Sequence, residues 1–309
     1  MIGAFAEGGQ TPRIMRSLVF VGAHDRDTIL RTADGAMDAL CFDLEDLTPA
    51  SGKATAREIF GTVAAEVAAR GVTVFARTNA LDDGAAQADL EAIVGPVLHC
   101  VNLPKAESPE QVATLAELLD AAETAAGLPR GQIWIRPVIE TATGVRRAYE
   151  IAAASPRVAY MGGVEGGAWG DLGASLGYRQ TDDGVETAYV RAKVLVDVRS
   201  AAVRFPIGGG TTARRDVEGA RRFAEANRVL GYDGVHCGAD PAVVAVVNEV
   251  FTPTVQEIEE WLAVAAPLEA ARAEGTIVVE IDGRTYDVAG LVRVRERLDL
   301  AAHLGLIRT

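Results

Sequence analysis

Nothing constrains this chain more than its punctuation: short apolar, β-rich runs alternate with helical stretches, and a strand precedes each helix throughout. The runs lie at 17–23, 39–46, 72–79, 100–106, 133–140, 157–164, 205–209 and 234–237. Helical periodicity fills the intervals at 26–34, 53–69, 86–93, 109–126, 144–154, 185–203, 214–230 and 241–250. Ser108-Pro109-Glu110 and Asp240-Pro241 carry helix-start chemistry, a capping side chain followed by proline in the first turn. Alternating β and α elements require a parallel sheet, and eight such units close into a (β/α)8 TIM barrel more readily than they spread into an open sheet. A chain of 309 residues has room for two average domains or one large barrel, and the alternation selects the barrel, over 11–252. Aromatic residues make up only 6%, so the core is expected from Ala, Val, Leu and Ile, as suits helices on a parallel sheet.

Beyond Thr252-Pro253 the chain exceeds what a barrel needs. Residues 253–309 read as a helix at 254–273, a β-like stretch at 276–281, the turn Asp282-Gly283 and an amphipathic helix near 289–304. This C-terminal helical/β extension is expected to act as a lid over the barrel mouth or as an oligomerisation element.

The charge balance excludes several partners. Thirty Lys plus Arg against 43 Asp plus Glu give a net charge of −13, and no basic run is present, so nucleic-acid binding by counterion release is not expected. No apolar stretch approaches the roughly 20 residues of a membrane helix, and residues 1–10 lack the build of a secretion signal. Cys41, Cys100 and Cys237 lie in or beside apolar runs without metal-type spacing, as buried thiols in a reducing compartment do. A cytoplasmic location is the resulting expectation.

Barrels of this kind build their active sites at the C-terminal strand ends, and polar residues gather there. The second run ends Asp43-Leu44-Glu45-Asp46, the third Arg77-Thr78-Asn79, the fourth at Lys105 and the fifth at Glu140, while the sixth leads into Glu165 and Asp171. Carboxylates converging from separate strand ends offer hard oxygen ligands to Mg²⁺, which keeps open positions for water and substrate and polarises a carbonyl. Arg77, always charged, would hold a carboxylate or a developing enolate oxygen beside it. Structural roles compete with these. Glu140 could cap the helix after Thr141, and Asp46 could satisfy the amides of the turn that follows. A guanidinium in an apolar run is harder to reduce to structure, because it requires an acidic partner. Gly208-Gly209-Gly210 could bind phosphate or simply turn the chain, and His24 and His236, near run ends, could be acid–base groups or ordinary polar residues.

A wider pattern joins these residues. Arg16 to Val21, Ala39 to Asp46 with Pro49 and Lys53, Arg77-Thr78-Asn79, Leu103-Pro104-Lys105-Ala106-Glu107-Ser108, Ile139-Glu140-Thr141, Asn248 to Pro253 and Asp282-Gly283-Arg284 with Asp287 occur in an order that resembles the citrate lyase β-subunit-like branch of the HpcH/HpaI aldolase superfamily. The resemblance implies a (β/α)8 barrel, a Mg²⁺ site, a homotrimer or homohexamer, and reversible C–C cleavage of a β-hydroxyacyl-CoA such as malyl-, citramalyl- or citryl-CoA to a small oxoacid and an acyl-CoA. It assigns metal ligation to Glu140 and Asp171, the latter because Gly170 to Gly177 keeps the family's Leu-Gly register, with Glu165-Gly166 as the rival alignment. It makes Arg77 the active-site arginine, places Asp43, Glu45 and Asp46 beside the metal, and gives Asp287 from a neighbouring subunit an acid–base role. Arg16, Lys53 and Arg57 are the candidates for CoA phosphates. The chain departs from the pattern at Gly22-Ala23-His24-Asp25 and at Gly234 to Asp240, which leaves open an aldolase on free 2-oxo acids without CoA, or a non-catalytic acyl-CoA- or nucleotide-binding barrel.

Overall fold

The computed structural model describes residues 10–162, 167–181, 184–210 and 215–308. It divides into two units, one ending at Phe251 and one beginning at Thr252.

In the first unit the chain runs β1 (Ser17–Gly22), α1 (Arg26–Ala33), β2 (Ala39–Asp43), α2 (Lys53–Ala68), β3 (Thr73–Arg77), α3 (Ala85–Ile93), β4 (Leu98–Leu103), α4 (Pro109–Ala125) and β5 (Trp134–Pro137). It continues through α5 (Ala142–Arg146), α6 (Ala148–Ala153), β6 (Tyr160–Met161), α7 (Asp171–Leu176), α8 (Val185–Ser200), β7 (Phe205–Gly210), α9 (Val217–Leu230), β8 (Gly234–Cys237) and α10 (Pro241–Phe251). The strands pair in parallel in the order β5-β4-β3-β2-β1-β8-β7-β6. Bridges Ile135 to Val158 and Val138 to Gly162 join the two ends and bring the sheet to a near-closed barrel. The α/β barrel expected from the alternation is the fold observed.

Strand alternation sorts the side chains into two cores. Val19, Val21, Leu40, Phe42, Val74, Ala76, Val101 and Leu103 point outward and pack with the helices. Leu18, Ala39, Cys41, Phe75, Cys100, Trp134, Tyr160, Phe205 and Ile207 fill the barrel interior. At the N-terminal end the interior is stoppered by the segment before β1: Met15 is buried, the Arg13 amide donates to the Tyr160 hydroxyl at 2.6 Å, and that hydroxyl donates to the Arg13 carbonyl at 2.8 Å. All three cysteines are free and buried. No helix among the described residues is long and apolar enough to cross a membrane.

Where the elements stop differs instructively from the apolar runs. β2 ends at Asp43 although the run continues to 46, because the Asp43 carboxylate accepts from the amides of Glu45 (2.8 Å) and Leu47 (3.2 Å) and turns the chain outward. The helix expected over 144–154 is split at Arg147, whose backbone (φ −102°, ψ 17°) leaves the α region. The glycine triplet lies inside β7, where a Cβ on Gly208 would come within 2.7 Å of Asn227 Oδ1, so close packing accounts for it at that position. The tail of the sixth run at 163–164 and Glu165 lie outside the described residues.

The second unit is built from α11 (Val255–Ala273), the hairpin β9 (Val278–Ile281) and β10 (Arg284–Asp287), and α12 (Leu291–His303). Thr254 and Glu257 form a reciprocal capping box at the start of α11. Asp282 and Gly283 both take positive φ, 49° and 73°, as a tight two-residue hairpin turn requires. Val264, Leu268 and Leu291 form the unit's small core, with Val279, Ile281 and Tyr286 against it.

Candidate active site

The alternation that fills the barrel also selects what faces its mouth. Two residues beyond an interior apolar side chain, the same phase delivers Asp43 after Cys41, Arg77 after Phe75, Asn102 after Cys100 and Arg136 after Trp134. Phe20 and His236 take the same place on β1 and β8, their rings 4.4 Å apart between centroids and tilted by 44°. The result is a polar layer over an apolar plug. Above it opens a cavity of about 790 Å³ lined by Phe20, Asp46, Arg77, Val138, Glu140, Trp169, Asp171, Arg215, His236 and Asp240.

Arg77 is the organising cation. Its Nε donates to Asp43 Oδ1 at 3.0 Å, its Nη2 to Asp43 Oδ2, and its Nη1 lies 3.1 Å from Glu45 Oε2. The guanidinium carbon sits 5.3 Å from the centre of the Phe20 ring. Burial works against the charge, but the hydrogen bond and proximity to Asp43, with Glu45 behind, outweigh it and hold the proton more firmly than usual. Asp43 is wholly buried between Arg77 and the turn amides, so it holds the arginine in place and does not line the cavity. It also satisfies the turn donors that Asp46 was a candidate for, and Asp46, half exposed, lines the cavity instead.

Glu140 and Asp171 both face this cavity, Glu140 from the loop after β5 and Asp171 from the first turn of α7. Glu140 is only 4% exposed, and its Oε1 accepts from the Lys105 amide at 2.7 Å. Helix capping is not its task, because the Thr141 side chain caps α5 by accepting from the Gly144 amide at 3.0 Å. Asp171 sits nearer solvent, its Oδ2 3.7 Å from Lys105 Nζ. Lys105 Nζ also donates to Glu45 Oε1 at 2.6 Å; burial works against its charge, and Glu45 more than compensates, raising its pKa. Four carboxylates, Asp43, Glu45, Asp46 and Asp171, thus gather around two cations, Arg77 and Lys105, and a fifth, Glu140, joins them through the Lys105 backbone amide. That excess of negative charge, carried by hard oxygen donors, suits a divalent cation. Among the described residues no three His, Cys, Asp or Glu form a closed metal cage. Two carboxylates with the remaining positions open match the way Mg²⁺ is held, with water and substrate completing the shell.

The candidate phosphate contacts separate. Arg16 precedes β1 and is bound by Asp38, just before β2, through Nε (2.9 Å) and Nη2 (2.7 Å). It therefore lies at the N-terminal end of the barrel, opposite the cavity, and the expectation that it holds CoA is corrected. Lys53 and Arg57 begin α2 at the correct end. Lys53 donates to the Asn79 side chain, and Arg57 to Asp89 at 2.8 Å, which in turn accepts from the Asn79 amide at 2.7 Å. Asp287 lies in the second unit, exposed, its Oδ1 accepting from the Ala289 amide at 2.8 Å. His24 packs over Gly52 and within 3.5 Å of the Thr48 hydroxyl, whereas His236 lines the cavity. Phe20, Trp169 and Arg215 were not singled out in the sequence. The phase of β1 carries a signal for Phe20, while Trp169 and Arg215 stand on irregular backbone with no period to read.

Comparison with known proteins places this geometry. Residues 16–239 match the model of the HpcH/HpaI aldolase/citrate lyase family. The citrate lyase subunit beta of Escherichia coli K12 is 30% identical over 309 residues, covering 99% of each chain. A (3S)-malyl-CoA thioesterase of Cereibacter sphaeroides is 30% identical over 297 residues, 95% of this chain and 96% of that one. Among solved structures, CitE of Mycobacterium tuberculosis, in complex with magnesium, acetoacetate and coenzyme A, superposes with a TM-score of 0.68 at 27% identity, covering 94% of this chain and 98% of that one. With the barrel, the strand-end carboxylates and the match over most of its length, this chain belongs to the HpcH/HpaI aldolase/citrate lyase family.

Proposed function

We propose that this protein is a Mg²⁺-dependent carbon–carbon lyase that cleaves or forms a β-hydroxyacyl-CoA of the malyl-, citramalyl- or citryl-CoA kind, with a small oxoacid as the second partner. The observation that carries the reading is that Glu140, Asp171 and Arg77, distant in sequence, line one cavity together with an excess of carboxylate charge. Magnesium-bound CitE and the citrate lyase β subunits support it as relatives.

Glu140 and Asp171 would hold Mg²⁺, which when bound supplies a Lewis acid for the oxoacid's oxygens. Arg77, fixed by Asp43 and Glu45, presents a charge that needs no reorganisation as negative charge grows on the enolate oxygen released by cleavage. Each direction of the reaction also moves a proton. Asp287 of an adjacent copy is the proposed acid–base group, in a homotrimer or homohexamer. Lys53 and Arg57, at the site end of α2, are the proposed contacts for CoA phosphates.

Glu140→Gln is expected to weaken Mg²⁺ binding in isothermal titration and to cut turnover of malyl- or citramalyl-CoA by on the order of 100-fold. Unchanged affinity and unchanged turnover together would remove the assignment. The malyl-CoA thioesterase relatives favour a second reading on the same substrates, hydrolysis of the thioester. Free CoA released from malyl-CoA without glyoxylate would identify it.

A further inference from the structure

Lys105 reaches both proposed metal ligands, and it does so in different ways. It follows β4 and Pro104 with φ at 47°, in the left-handed region where a residue bearing a Cβ is strained and glycine or asparagine is usual. That backbone turn aims the Lys105 amide at Glu140 Oε1, 2.7 Å away. It also sends the side chain across the mouth, where Nζ lies 2.6 Å from Glu45 Oε1, 3.7 Å from Asp171 Oδ2 and 4.0 Å from Asp46 Oδ2. Strain of this kind persists only where surrounding contacts over-determine it, and here those contacts are the site's own carboxylates.

We propose that Lys105 is an internal cation that neutralises Asp171 before metal arrives and competes with the metal for it, so that it sets how tightly the site takes a divalent ion. The inference rests on the reading of Glu140 and Asp171 as the metal pair. A divalent ion on Asp171 and an ammonium within 4 Å of the same oxygen repel each other, so binding requires Lys105 to withdraw. Its flexible four-carbon stem allows that withdrawal, and Glu45, 2.6 Å from Nζ, remains as its anchor. The amide bond to Glu140 belongs to the backbone and survives the movement. Lys105 is thus a positioning residue: the main chain holds one ligand, and the side chain stands in for the metal's charge at the other.

The test uses the full-length protein and Mg²⁺ alone, without CoA or oxoacid. Lys105→Met keeps the stem and the amide but removes the charge, and is expected to bind Mg²⁺ about tenfold more tightly by isothermal titration. It should also melt at lower temperature in EDTA and regain more of that loss with saturating Mg²⁺ than the wild type gains. Lys105→Gly, which relieves the φ strain, should show the same tightening, while Lys105→Arg should return affinity towards the wild-type value. Affinity in Lys105→Met or Lys105→Gly equal to or weaker than wild type, with cooperative melting retained, overturns the proposal. A wild type that binds no Mg²⁺ at millimolar concentration overturns the metal reading itself, along with the inference built on it.

Discussion

Arg77 and Asp43 show how one pair joins stability to chemistry. The carboxylate is fully buried and the guanidinium side chain only 11% exposed, so Asp43 has no water to fall back on if Arg77 is lost. Arg77→Met is therefore expected to cost about 3–5 kcal/mol, since it strands the Asp43 charge. Adding Asp43→Asn to that variant should recover part of the loss. Urea melts of the two single variants and the double variant give the coupling energy, and additive losses would show that the pair is not a unit. Much of this corner was legible in sequence, because a guanidinium inside an apolar run demands an acid and the acids stood at the neighbouring strand end. What stayed hidden was the division of labour: Asp43 and Asp46, three residues apart, differ in that one closes the turn and the other faces the cavity. That difference depends on which carboxylate meets the Glu45 and Leu47 amides, and no composition or period encodes it.

Elements were legible wherever their period was strong. All eight strands begin within a few residues of the apolar runs, and β8 coincides with its run at 234–237. Where the backbone is irregular the pattern failed: α7, which carries Asp171, is six residues long and has no counterpart in the helical periodicity, and of the described part of the sixth run, 157–162, only Tyr160–Met161 form the strand β6. The pairing of β1 with β8, the first strand with the last, depends on a contact that sequence does not announce. A Cβ added to Gly234 would lie 1.8 Å from the Met15 carbonyl oxygen and 2.7 Å from that of Arg16, both backbone atoms that cannot swing aside. Gly234→Ala should therefore destabilise the barrel by several kcal/mol, on the order of 3 or more, through displacement of β8 from β1 and from the segment that stoppers the interior. Gly61→Ala, in α2 with nothing within 4 Å of its added Cβ, is the control, and should be neutral or slightly stabilising. Equal melting temperatures for Gly234→Ala and wild type would show that the strands part more easily than this packing implies.

At the scale of the whole molecule, the barrel ties its stability to pH through a residue far from the chemistry. His99, on β4 and facing the stopper at the N-terminal end, is 1% exposed, its Nε2 2.9 Å from the Tyr160 hydroxyl and its Nδ1 2.8 Å from the Gln10 side-chain amide, which can turn its NH2 to a neutral ring. Burial, with the Arg13 charge adding to it, pushes its pKa down from the ordinary 6.5 to about 3. Between those two values the unfolded chain binds a proton that the folded chain refuses, so stability rises with pH across the interval and falls on acidification from about 6.5 towards 3. The slope from this one group is about 1.4 kcal/mol per pH unit at most, large against the total stability of a typical domain. His99→Gln, which keeps a side chain able to hydrogen-bond but cannot titrate, should flatten that slope while lowering stability near neutral pH through imperfect packing. Denaturant melts from pH 7 to pH 4 on the two proteins measure it directly. Parallel curves would show that His99 is protonated in the folded barrel, and that the stopper admits the charge its burial is argued to exclude.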